Sequence, residues 1–220
     1  MLNRKTFFIR EHVGALKLAN TYDILDPETK EQLGIAKEKP GALLHVLRFF
    51  LDKRKLPTTV KVYEGSDPKN EKNLLFSIKR EFSFFIPKVS VRDPSGNIVG
   101  RFKSKLFGLG ISFRVLDPSG KDMALVKGDW KGWNFSFLDS SEKEIGTITK
   151  KWSGLGKELF TSADNYFIAL NDQPEPAVAV LLLAAGLSVD TVCKEEVTVD
   201  LTAQWHCRRC VMGAAARPLF

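Results

Sequence analysis

Apolar and polar residues alternate along most of this chain, in short runs broken by turns of one recurring kind. Ser112-Phe113-Arg114-Val115, Asn134-Phe135-Ser136-Phe137 and Thr58-Thr59-Val60-Lys61-Val62-Tyr63 each put apolar groups on one face and polar groups on the other. A period of two is the signature of a half-buried strand. The turns between runs repeat a phrase: Asp93-Pro94-Ser95-Gly96, Asp117-Pro118-Ser119-Gly120, Asp139-Ser140-Ser141-Glu142, and a looser copy at Asp26-Pro27-Glu28-Thr29. Asp caps its own backbone, Pro presets φ, and Gly accepts positive φ. Asp93, Asp117 and Asp139 lie 24 and 22 residues apart, the length of a hairpin with its turns. Five such units align, roughly 9–36, 78–102, 102–126, 126–148 and 148–170. Several begin with an apolar residue followed by a base (Arg10, Lys79, Lys103, Lys127, Lys150). With the run at 58–63 they predict about twelve antiparallel strands. Closure into a barrel removes the exposed edges that so many strands would otherwise leave.

Two segments depart from this pattern. Between Pro40 and Pro57, Leu43, Leu47, Phe50 and Leu51 share one helical face, which predicts a short basic amphipathic helix at about 42–55. From Pro176 the chain is apolar on every side for about 13 residues, predicting a helix over about 175–192. A bilayer needs ~20 such residues, so this helix belongs in a core. A twelve-stranded barrel is too wide to fill with strand side chains alone, since ~8 strands already use that space. The expected fold is therefore all-β: a closed antiparallel barrel over 1–197 enclosing its own C-terminal helix, with 198–220 as an extension.

The chain has 220 residues, 44% hydrophobic and 27% charged, with a formal charge of +7. That surplus suits anionic partners, a phospholipid surface or a nucleic acid. Three cysteines near the C-terminus make no disulfide framework, and the first residues lack the apolar core of a signal peptide, so a cytoplasmic protein is expected. No nucleophile elbow, phosphate loop or zinc-protease motif occurs, and none of His12, His45 or His206 sits in a recognised catalytic pattern. Neither an enzyme nor a cofactor is expected. His206-Cys207-Arg208-Arg209-Cys210 has zinc-like spacing but no second ligand pair.

The stretch Phe160-Thr161-Ser162-Ala163-Asp164-Asn165-Tyr166-Phe167-Ile168, followed shortly by the apolar helix, resembles the phospholipid scramblase signature. The lysine-led, aspartate-turn units are similar to those of the LURP-one-related proteins. Both families share a barrel plan with the Tubby C-terminal domain, and the resemblance covers about 7–196. It implies a non-enzymatic protein that binds or moves phospholipid, peripheral at a membrane. In scramblases the segment matching 162–173 is proposed to bind calcium. Carried over, it offers Asp164, Asn165 and Asp172, but Ser162 and Gln173 stand where acids are expected. One or two carboxylates make a weak calcium site. The basic helix supplies candidate lipid contacts in Arg48, Lys53, Arg54 and Lys55, unless it only caps an open barrel end with its charges in water. Trp130 and Trp133 are either an interfacial anchor or core filling. The alternative function is a soluble scaffold or regulatory module for a protein or nucleic acid.

Overall fold

The computed structural model describes residues 1–12, 20–40, 57–82, 88–104, 111–129, 133–150, 165–173 and 175–189. Among these the chain forms twelve strands: β1 (Thr6–Glu11), β2 (Thr21–Leu25), β3 (Gln32–Pro40), β4 (Thr58–Glu64), β5 (Leu74–Arg80), β6 (Val89–Arg92), β7 (Ile98–Ser104), β8 (Ile111–Leu116), β9 (Asp122–Asp129), β10 (Asn134–Leu138), β11 (Glu144–Thr149) and β12 (Tyr166–Leu170). They are followed by the helix α1 (Pro176–Ser188). Each strand pairs antiparallel with the next, and β1 pairs with β12 through Phe7↔Ile168 and Ile9↔Tyr166, closing the barrel.

The alternation sorts side chains as expected. Phe7 and Ile9, Val60 and Val62, Phe113 and Val115, and Phe135 and Phe137 point inward and are buried, while Arg10, Lys79, Lys103, Arg114 and Lys127 stand exposed between such positions. The Asp turns are built from local hydrogen bonds. The N–H groups of Asn97, Lys121 and Lys143 donate to Oδ1 of Asp93, Asp117 and Asp139 at 2.8, 2.9 and 3.0 Å. Gly96 and Gly120 take φ of +90°, and where the motif lacks glycine, Lys30 and Glu142 take +61°. A register shift follows each of these turns, as it does when a tight turn ends in a left-handed residue and a bulge.

The helix fills the barrel. Every residue from Ala179 to Val189 is buried, and the helix packs against β5 and β7. Gly100 of β7 lets Leu181 approach: a Cβ there would lie 2.5 Å from Leu181 Cδ2. On α1, Gly186 admits Ile168 of β12 in the same way, at 2.3 Å from Cδ1. The observed helix starts at Pro176, its predicted N-terminal proline. No helix of the described residues is long and apolar enough to cross a membrane. The predicted 42–55 helix and the 198–220 extension lie outside the described residues.

Candidate functional site

In an antiparallel barrel whose strands follow chain order, successive connections fall at alternate ends. One end carries the short turns 26–31, 65–73, 93–97, 117–121 and 139–143 and the 171–175 link into α1. By sequence these six segments hold eleven acidic and five basic residues, and no aliphatic, aromatic or sulfur side chain. At the opposite end, here the mouth, the connections are 12–20, 41–57, 81–88, 105–110, 130–133 and 150–165. They hold eleven basic and four acidic residues and ten aromatic ones. By sequence, then, the connections are polarised along the barrel axis: acidic and wholly polar where they leave one end, basic and rich in Phe and Trp where they leave the other.

The described residues at the mouth combine polar groups with aromatic ones. Glu38, Thr58 and Arg80 occupy inward strand positions there. Thr58 Oγ1 donates to Glu38 Oε1 at 2.6 Å, the Asn20 N–H donates to Glu38 Oε2 at 3.0 Å, and Arg80 is buried. Trp133 is buried against Tyr166 and Phe135, with ring centroids at 5.1 and 6.1 Å, and Lys150 Nζ lies 4.4 Å from the Trp133 ring centroid. Trp133 is therefore core, the second of the two roles considered for it. Phe82 is the exposed large hydrophobic residue of the described set, at 45%. It lies just past the end of β5, on the mouth side.

The carboxylates of the short turns are tied down. The Lys61 and Lys39 side chains hydrogen-bond Glu71 at 2.7 and 3.1 Å, Tyr63 Oη donates to it at 3.0 Å, and together they hold its carboxyl down at about 2. In return Glu71 raises the Lys39 pKa. Asp26, Asp93 and Asp117 are all held below the ordinary carboxylate range. The principal causes are the Thr29 N–H for Asp26, the Asn97 side chain for Asp93 and the Ser119 hydroxyl for Asp117. On the side wall, Asp23 is buried yet ligated by Arg10 at 2.8 Å, His12 at 2.7 Å and Gln32 at 3.2 Å, as a buried carboxylate requires.

Arg48, Lys53, Arg54 and Lys55 lie outside the described residues, in the connection whose flanks, Pro40 and Thr58, both belong to the mouth. Asp164 also lies outside them. Asn165 sits at the mouth end of β12 with its Oδ1 buried and unpartnered, and Asp172 is exposed beyond the other end. A strand rises about 3.3 Å per residue, so about 20 Å separates the two and they do not meet around one ion. No group of three His, Cys, Asp or Glu residues able to hold a metal occurs among the described residues. Trp130, His206, Cys207 and Cys210 lie outside them. The axial polarity was missed in the sequence reading, although its signal was there: Asp-rich turns and Lys- and Phe-rich connections alternate along the chain.

A protein-family model described as Scramblase matches residues 11–196, from the end of β1 to beyond α1. No curated protein and no solved structure matches the chain.

Proposed function

The chain belongs to the scramblase family, and on that premise we propose that it is a non-enzymatic, peripheral module that docks on anionic phospholipid with the mouth of its barrel toward the bilayer. The axial polarity carries this reading. Each Lys or Arg near an anionic leaflet contributes about 1 kcal/mol, and aromatic rings settle at the headgroup level. The connections that leave the mouth hold both, and those at the opposite end hold carboxylates that such a surface repels. Arg48, Lys53, Arg54 and Lys55 are the largest block of cations in any one mouth connection, and in this reading they carry much of the electrostatic contact. The helix α1 stays in the barrel. At 13 residues it is about 20 Å long, shorter than the ~30 Å hydrocarbon layer, and its removal would empty the core. The degenerate segment with Asp164, Asn165 and Asp172 has no part in docking, so binding is indifferent to calcium.

Co-sedimentation with neutral and phosphatidylserine-containing vesicles, at low and physiological salt and with and without calcium, tests this. Wild type binds only the anionic vesicles and weakens as salt rises. An Arg48→Glu/Lys53→Glu/Arg54→Glu variant loses binding. A Lys69→Glu/Lys121→Glu/Lys143→Glu variant changes net charge equally at the acidic end and retains it. Equal loss in both variants would refute the orientation. No binding under any condition would sink the lipid reading in favour of a soluble scaffold.

A further inference from the structure

The outer wall of β5, β6 and β7 carries a feature that mouth docking does not explain. Val89 and Val91 point into the barrel, so Ser90 and Arg92 between and beyond them face outward. Ser90 is nevertheless only 8% exposed, and its Oγ is buried with no hydrogen-bond partner. Directly opposite it stand Lys79 on β5 and Arg101 on β7. Directly paired residues in a sheet have Cβ atoms only ~5 Å apart. The Arg92 Nε is likewise buried and unpartnered, while its Nη1 donates to the Gly96 carbonyl at 2.9 Å. None of the outward positions of β5, β6 or β7 is acidic.

A buried hydroxyl without a partner costs free energy, and so does a guanidinium N–H. Here Ser90 sits in a row with two exposed cations and Arg92 lies two residues along β6 on the same face. All four side chains can donate, the Arg101 Nη1 already doing so to the Pro118 carbonyl at 3.1 Å. One guest satisfies such a set: an oxyanion that accepts from several directions at once. A carboxylate has two oxygens, whereas a terminal phosphate presents three and carries up to two charges, which suits Lys and Arg on either flank. We infer that Lys79, Ser90, Arg92 and Arg101 form a binding site for a phosphate monoester. Lys79 and Ser90 are each one residue from the mouth-side end of their strands, just behind the exposed Phe82. A headgroup phosphate of a bilayer touched by the mouth lies within reach. In that form the inference rests on the docking reading, whereas capture of a soluble phosphate does not.

The test compares vesicles of phosphatidic acid and phosphatidylserine in phosphatidylcholine, matched for surface charge, and adds inorganic phosphate as the soluble probe. One hydrogen bond to a charged group is worth on the order of tenfold in affinity. Wild type is expected to bind phosphatidic acid vesicles about tenfold tighter. Ser90→Ala and Arg101→Gln abolish that preference and keep phosphatidylserine binding. Lys127→Gln, on β9, weakens both alike. Ser90→Ala also melts at the same temperature as wild type or higher, because it removes an unsatisfied hydroxyl. A hydroxyl kept for packing would give a lower one. Equal affinity for the two lipids in wild type, or a preference that survives Ser90→Ala, overturns the headgroup site while leaving mouth docking intact. If no vesicle binds, docking fails. Amide shifts at Ser90 and Arg101 on titrating inorganic phosphate, absent in Ser90→Ala, then support a soluble-phosphate site, and their absence overturns the site altogether.

Discussion

Replacing Gly186 by alanine gives a prediction whose sign depends on where the helix sits. In a solvent-exposed helix interior this change stabilises by about 0.8–1 kcal/mol, because glycine costs backbone entropy. Inside this barrel the new Cβ would lie 2.3 Å from Ile168 Cδ1 and 3.0 Å from Cγ1. Ile168 cannot swing away freely: it is fully buried, with Phe7 on β1 and Ile148 on β11 directly opposite it, both also fully buried. Overpacking of this kind costs about 1–3 kcal/mol, which outweighs the helix gain. The expected net loss is about 1 kcal/mol, and in a chain of this size that lowers Tm by about 2–4 °C. Ile168→Val removes the offending methyl at about 0.5–1.5 kcal/mol by itself. In the double variant the alanine should stabilise again, so the two changes couple favourably by about 1 kcal/mol. Thermal melts of the four proteins measure this. A Tm rise of 2–4 °C for Gly186→Ala alone, with no coupling to Ile168→Val, would refute the placement of α1 against β12.

Two further outcomes are expected. Glu142 holds a φ of +61° where two other copies of its turn have glycine. A left-handed non-glycine residue costs about 1–2 kcal/mol, partly offset by the flexibility glycine adds to the unfolded chain, so Glu142→Gly should raise Tm slightly and Gly120→Ala should lower it. A fall for Glu142→Gly would contradict the turn assignment. The acid limb of stability should depend on Glu71. Its folded pKa, about 2, lies below its ordinary 4.5. Its contribution is therefore complete above pH 4.5 and is lost as pH falls toward 2. Asp26, Asp93 and Asp117 are shifted in the same direction. Melting temperatures measured from pH 7 to pH 2 should fall in that window, and less steeply in Glu71→Gln. An identical slope in the variant would remove Glu71 from the account.

Much of the architecture was legible in the chain because its causes are local. An aspartate that accepts from the N–H four residues on, with a left-handed residue between, makes the same turn at Asp93, Asp117 and Asp139. The looser copy at Asp26, which accepts instead from the N–H groups of Glu28 and Thr29, became a fourth, longer turn of the barrel. Period-two alternation put Phe135 and Phe137 inside and Lys79 and Lys103 outside without help from distant residues. The unit boundaries show where local reading loses detail: 9–36, 78–102, 102–126 and 126–148 each hold one whole strand and parts of its two neighbours rather than one hairpin. Asn165 and Asp172 show the converse error, since seven residues look close in sequence but become about 20 Å once the chain between them is a strand.

The sequence by itself determined the strand faces, the Asp turns, the helix that begins at Pro176 and the need of a wide barrel for an apolar filling, since each follows from the preferences of neighbouring residues and from side-chain volume. Only the tertiary structure decided that β1 closes on β12, that Gly186 meets Ile168, that the connections rich in cations and aromatics all leave one end of the barrel and the carboxylate-rich turns the other, and that Ser90 stands unpartnered between Lys79 and Arg101. Those are relations between residues far apart in the chain, and they exist only once strand direction and register assign every connection to an end and every side chain to its neighbour across the sheet.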